Sequence, residues 1–157
     1  MFQVGDKVFY PMHGAGIVTA IEEKDFRGEM ESYCLITIPS SHMDVMLPMK
    51  KASQAGLRSI VDRQAAKKML QGYYYAEQGS QLPWKQRFTS NMEKIKSGEF
   101  EAGLEVVSDL QYRNEEKPLN TSEKQMLNNA KRLIVSELAL IKDISESQAE
   151  DLLELPS

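Results

Sequence analysis

Residues 4–18 read VGDKVFYPMHGAGIV, and this stretch indicates a β fold for the first third of the chain. Val4, Val8 and Tyr10 share one parity of an extended backbone, which is typical of a half-buried β-strand. Pro11 then ends the alternation, because proline lacks the N–H that a strand ladder uses. The stretch therefore predicts a first strand followed by a tight turn.

Three further strands are predicted from the alternation that follows, over residues 17–24, 31–38 and 42–47. Gly28 lies in the connection between the first two of these, where a hairpin needs a residue with positive φ. So few short strands leave much of an open sheet unburied. We expect them to close into a small, strongly bent barrel.

Helical spacing replaces alternation beyond residue 59. A helix is expected over 59–75 and a loop over 79–83. Trp84, Phe88 and Ile95 then lie on one stripe of a helix that ends at Gly98.

Three more helices are predicted over 100–112, from a cap at Thr121 or Ser122 to about residue 141, and over 147–155. The expected fold class is α+β with two domains. Residues 1–56 form the β-barrel, and residues 57–157 form an all-α domain of about five helices.

Several segments in this order resemble the CarD/CdnL family of bacterial transcription regulators. GDKVFYPMHGAGIV, the hairpin from FRGE to SYCLITIP and the run DVMLP resemble its RNA polymerase-interacting module, which is related to one in the transcription-repair coupling factor. PWKQRF with NMEKIKSG resembles the family's tryptophan-bearing segment, and 122–139 resembles its later helix. The resemblance covers nearly the whole chain and implies a Tudor-like barrel and no cofactor.

The residue types alone indicate a core or helix-staple role for Trp84. The resemblance instead implies a wedge against the minor groove at the upstream edge of the melted promoter, with promoter DNA bound without sequence preference. It also implies that Lys85, Arg87, Lys124 and Lys131 hold DNA phosphates. The alternative for these bases is an ordinary solvated helix face.

The resemblance further implies that the barrel binds the β subunit of bacterial RNA polymerase, through Lys24, Val45, Met46 and Pro48. Met46 stands where some relatives have arginine, so this contact is expected to be more apolar here. An exposed barrel edge can pair with a strand of the partner. The alternative for Val45 is a place in the barrel core.

Net charge opposes strong nonspecific DNA binding, because that affinity comes mainly from lysine and arginine displacing counterions. The 157 residues carry a formal charge of −4. Six acidic side chains and one basic one lie within 137–157, so the rest of the chain is close to neutral. A local basic face on the helical domain is therefore compatible with the composition.

We expect a non-enzymatic regulator that docks on polymerase and stabilises the open complex. The alternative is a protein–protein adaptor without DNA contact. Neither a nucleophile–base constellation nor a phosphate-binding glycine loop occurs in the sequence. The two histidines and Cys34 lack the spacing of a metal site, and Cys34 is expected to be a buried thiol.

The chain has no run of about 20 apolar residues and no signal-peptide pattern at Met1, so a cytoplasmic location is expected, at the nucleoid through polymerase. A monomer is the expected state. A dimer paired through the exposed strand edge is the alternative.

Overall fold

The computed structural model describes residues 2–76 and 82–154, in which a β-sheet precedes a set of helices. The strands are β1 Lys7–Tyr10, β2 Gly14–Phe26, β3 Glu29–Ile38, β4 Met43–Pro48 and β5 Arg58–Ser59. The helices are α1 Met49–Ala52, α2 Arg63–Tyr74, α3 Trp84–Ser97, α4 Phe100–Glu116, α5 Thr121–Lys142 and α6 Glu146–Asp151. This order confirms the α+β class and the five helices predicted for the second half.

The sheet is antiparallel, with the order β4-β3-β2-β1-β5. Arg27 and Gly28 form the turn between β2 and β3, and both have positive φ, as a two-residue hairpin turn of the I′ type requires. Both strands therefore reach further toward the turn than predicted. β4 forms one edge of the sheet and β5 the other.

One face of the sheet covers a small core formed by Val8, Val18, Ile36, Leu47 and neighbours. Ala52 and Leu57, which flank the predicted linker, are buried in the same core. β5 pairs with β1 and lies beyond residue 56. The domain boundary at 56 stays a prediction.

The other face of the sheet packs against the helices. Phe9 of β1 and Ala15 of β2 are buried in the same cluster as Phe100, Leu110 and Leu138 of the helical domain. Neighbouring residues of β1 consequently point into two different cores. The sheet and the helices form one packed unit around α5.

Two predicted helix starts are wrong. α2 begins at Arg63 rather than 59, because Arg58 and Ser59 pair with β1 and the Asp62 carboxylate caps the helix by accepting from Ala65 N–H. α5 is capped by Asn120, whose side chain accepts from Glu123 N–H.

Two further predictions reach beyond the described residues. The predicted loop 79–83 lies outside them except for its last two positions. The last helix ends at Asp151, earlier than predicted, and the predicted end at 155 lies outside the described residues.

Candidate functional site

Strand register brings three of the predicted polymerase-binding residues onto one face of the sheet. Met46 lies opposite Leu35, and Pro48 lies opposite Tyr33. Residues directly opposite one another in neighbouring strands project on the same face, and so do residues two apart in one strand. Lys24 is opposite Glu31 and shares this face.

The helices cover this face at Phe9 of β1 and Ala15 at the start of β2, whereas at β3, β4 and the far end of β2 it is open. Met46 is 44% exposed, and Leu35 and Tyr33 are half-buried. Because β4 is also an edge strand, an apolar surface and an open backbone edge occur together here.

Val45 does not belong to this face. It lies opposite Ile36, which is buried, and packs against the β core. Its side chain therefore points away from Met46, and the alternative of a core position describes it. The partner-binding role of Val45 stays a prediction, and the geometry gives its side chain no place on the open face.

Trp84 is the first residue of α3, and its side chain is 42% exposed. Its ring stacks on Phe88 with a centroid distance of 5.6 Å and an angle of 22° between the planes. Phe88 in turn packs against the helical core, where Ile95 is buried. The predicted stripe is present, and Trp84 is its solvent-exposed end.

Arg87, one turn after Trp84, forms a buried ion pair with Glu123 of α5. The guanidinium donates from Nε and one terminal nitrogen to the two carboxylate oxygens, at 3.1 and 3.0 Å. Glu123 is only 3% exposed, so this is a bidentate pair in a dry environment. The pair clamps the first turn of α3 onto the start of α5.

The phosphate-binding role of Arg87 stays a prediction. Its side chain is mostly buried, with Nε and one terminal nitrogen directed at Glu123 and the other terminal nitrogen 3.3 Å from Leu82 O. Glu123 was missed in the sequence, although Asn120 and Glu123 have the spacing of a capping box. The Asn120 half of that motif forms, and the glutamate pairs with Arg87 instead.

The three predicted lysines differ in their surroundings. Lys85 and Lys124 are exposed; Lys85 directly follows Trp84, and Lys124 directly follows Glu123 in the sequence. Lys131 is half-buried and lines a groove that also contains Glu146 and Glu150. Lys85 and Lys124 are thus exposed cations at the starts of α3 and α5, while Lys131 lies beside carboxylates.

A second buried pair, Arg58 with Glu137, joins the β domain to α5. The two guanidinium nitrogens of Arg58 lie 2.8 and 2.7 Å from the Glu137 carboxylate, which also accepts from Val61 N–H at 3.0 Å. Arg58 Nε donates to Gly98 O, and the guanidinium lies 4.6 Å from the Phe9 ring centroid. One arginine therefore links β1, α3 and α5.

The rim of this junction is more exposed. Lys7 donates to Leu140 O and to the Asp143 carboxylate, which Arg63 also contacts. The hydrogen bond and charge of Lys7 lower the pKa of Asp143. Ala15 N–H donates to Ser136 Oγ within the buried part of the same junction.

Cys34 is buried, as predicted, and burial raises the pKa of its thiol. Across residues 2–76 and 82–154, no cluster of three or more histidine, cysteine, aspartate or glutamate side chains is arranged to hold a metal ion. None of the helices described in those ranges has the length and apolar character to span a bilayer.

Comparison with known proteins identifies both halves of the chain. Residues 2–61 match the family model described as CarD-like/TRCF RID domain, and residues 66–154 match CarD, C-terminal domain. The chain is 47% identical to the Bacillus subtilis (strain 168) protein named "Putative transcription factor YdeB", over 94% of this chain and 97% of that protein. These matches confirm the family resemblance and the Tudor-like character of the β domain. The chain belongs to the CarD family of transcription regulators.

Proposed function

We propose that this protein binds the β subunit of bacterial RNA polymerase through its β4 edge and stabilises the promoter open complex with Trp84. The observation that carries the proposal is the exposed Trp84 ring, which is fixed by Phe88 below it and by the Arg87–Glu123 clamp one turn later. A rigid, exposed indole in a CarD family member is suited to a stacking role.

On the polymerase side, the open face with Lys24, Met46 and Pro48 lies next to the free edge of β4. Addition of a partner strand to such an edge takes its affinity from backbone hydrogen bonds, and side chains on the adjoining face supply selectivity. Met46 contributes apolar area to this contact. Val45 supports it only from the core.

On the DNA side, a flat ring can replace the stacking that a base pair loses at the edge of a melted region. Such stacking contributes about 1–3 kcal/mol per base. The first turn of α3 contains no acidic side chain, and the helix dipole there favours an anionic phosphate. Lys85 and Lys124 add exposed positive charges, and the carboxylates near Lys131 make its contribution the smallest.

Docking on polymerase explains how an acidic protein uses a weak DNA contact. Once the β domain is bound, the second contact is intramolecular at an effective concentration on the order of millimolar. A preference of about 1.4 kcal/mol for the open complex shifts its equilibrium tenfold.

The test compares Trp84→Ala with wild type in a complex of polymerase and promoter DNA. We expect unchanged affinity for polymerase without DNA and an open-complex lifetime shortened about tenfold relative to wild type. Met12→Ala is the control, because Met12 is a similarly exposed apolar side chain in the β domain. An unchanged lifetime with Trp84→Ala would contradict the DNA role and favour a protein adaptor.

The docking half is tested with Met46→Glu in the full chain. A charge on the open face is expected to abolish polymerase binding. Ile21→Glu, an exposed apolar position on the opposite face of β2, is the matched control and should bind like wild type. Equal loss with both variants would show that the face of β4 is not specifically used.

A further inference from the structure

The exposed side of α2 carries cationic and amide groups and no carboxylate. The helix runs from Arg63 to Tyr74 without an acidic residue. Its buried side is formed by Ala66, Leu70 and Tyr73. The opposite side is exposed and comprises Gln64, Lys67, Lys68, Gln71, Gly72 and the C-cap residue Tyr75.

The two lysines on this side are not neutralised by partners in the described part of the chain. The ion pairs found there use other bases, among them Lys94, which binds Glu105 at 3.2 Å. Lys67 and Lys68 thus present two adjacent positive charges to solvent. The positive charge of this face contrasts with the net charge of −4 of the whole chain.

The α2 face borders a groove that reaches Arg87, one turn after Trp84. A groove of about 480 Å³ lies between α2, α3 and α4, and Lys68 and Ala76 line it together with Leu82 and Arg87. Tyr75, at the end of α2, is 81% exposed. The carboxylates of this groove lie on α4, where Asp109 accepts a hydrogen bond from Asn91.

We propose that the exposed face of α2 binds the phosphate backbone of duplex DNA next to the melted region. This proposal rests on the proposed function, because α2 reaches the duplex only when Trp84 is at the edge of the bubble. From Gln64 to Tyr75 the face is roughly 16 Å long, at 1.5 Å per residue. That length corresponds to about five phosphates of one strand, which follow each other every 3.4 Å along the axis.

The chemistry of the face fits a backbone contact without sequence reading. Lys67 and Lys68 provide the charge, and Gln64 and Gln71 provide neutral hydrogen-bond donors along the same side. Phosphate contacts of this kind position a protein on DNA and release counterions, so their signature is salt dependence.

The test uses the full chain with Lys67→Ala/Lys68→Ala, in complex with polymerase and promoter DNA. The measured quantity is the factor by which the protein raises polymerase affinity for the promoter, at salt concentrations from about 50 to about 200 mM. The logarithm of this factor should fall with the logarithm of the salt concentration. We expect the steepness of that fall to be smaller by about 1–2 in the variant than in wild type. Lys67→Arg/Lys68→Arg should keep the wild-type slope.

The control is Lys50→Ala/Lys51→Ala, an exposed lysine pair on α1 that changes net charge equally. It should keep the wild-type slope. An unchanged slope with Lys67→Ala/Lys68→Ala would overturn the proposal. If Lys67→Ala/Lys68→Ala weakens binding to polymerase as strongly without DNA as with it, the proposal is also overturned, because the face would then bind protein. If wild type itself shows no DNA-dependent effect, the proposed function fails instead.

Discussion

The interdomain junction and the Trp84 corner are built on the same device, a buried arginine–glutamate pair anchored on α5. Glu137 is 1% exposed and binds Arg58, while Glu123 is 3% exposed and binds Arg87. The first pair joins two domains and also satisfies a backbone N–H. The second joins two helices and fixes one turn that carries an exposed aromatic ring.

The two pairs fix different parts of the molecule. Removing one partner of a buried pair leaves an uncompensated charge, whereas replacing both by apolar side chains is often neutral. Such pairs therefore specify geometry more than they add stability. At the junction the geometry is the relation between the sheet and α5, and at the corner it is the direction of Trp84.

The largest effect is expected from Glu137→Ala. Arg58 loses its charge partner and Val61 N–H loses its acceptor in a dry site, so we expect a loss of roughly 4–5 kcal/mol in the free energy of unfolding. This corresponds to a fall in Tm on the order of 10 °C by thermal denaturation. Glu150→Ala, an exposed acid on α6, should leave Tm nearly unchanged. Equal Tm values for the two variants would show that the buried pair of Glu137 contributes no more to stability than an exposed acid.

Glu123→Ala is expected to cost about 3 kcal/mol, because Arg87 keeps only a 3.3 Å contact to Leu82 O from its other terminal nitrogen. The double variant Arg87→Met/Glu123→Leu should recover most of this loss, measured by urea denaturation. It also separates two roles of Arg87. Wild-type stabilisation of the open complex by the double variant would make Arg87 a positioning residue, and loss of that stabilisation would indicate direct DNA contact.

Gly98→Ala tests the backbone side of the junction. Gly98 has φ +72°, and an added Cβ would lie 2.6 Å from Pro11 Cγ. We expect a loss of roughly 2–3 kcal/mol from combined backbone strain and overpacking. Gly28→Ala has a similar φ of +84° but open space around it, and should lose only about 1 kcal/mol. Equal losses would mean that Pro11 moves away from the added Cβ without a measurable cost in stability.

The smallest effect belongs to Asp143 at the exposed rim. Because its folded pKa lies below the unfolded value of about 3.9, ionised Asp143 stabilises the protein above that value. The contribution disappears as the pH falls through the folded pKa. The Tm of Asp143→Asn should be slightly lower than that of wild type near neutral pH and equal to it in acid. Asparagine tolerates the positive φ of residue 143, so the substitution should not strain the backbone. Asp151→Asn is the control.

Local patterns in the sequence were sufficient for several parts of the site. The spacing of Trp84, Phe88 and Ile95 predicted α3 correctly, and Gly98 predicted its end, because both depend on neighbours within one or two turns. Strand alternation likewise separates Met46 from Val45, once the parity of the buried residues is known. The family resemblance predicts a DNA-contacting role for Trp84, and the exposure of its ring is compatible with that role.

Other parts required the folded chain. The start of α2 was wrong because Arg58 and Ser59 pair with β1, about 50 residues earlier in the sequence. The ion pair of Arg87 could not be predicted from local sequence, since its partner Glu123 lies 36 residues away. Phe9 broke the expected alternation because the helices bury the face of β1 that a lone sheet would expose to solvent.

Sequence patterns alone predict the α+β class, the strands of the β domain, the tryptophan helix and the family. These features follow from short-range periodicity, turn chemistry and motif order, which act within a few residues. Which charges form buried pairs and which are available to a partner depends instead on the folded chain. The reason is physical: an ion pair depends on distance in space and on desolvation, and both arise when α5 brings Glu123 and Glu137 against arginines from distant parts of the chain.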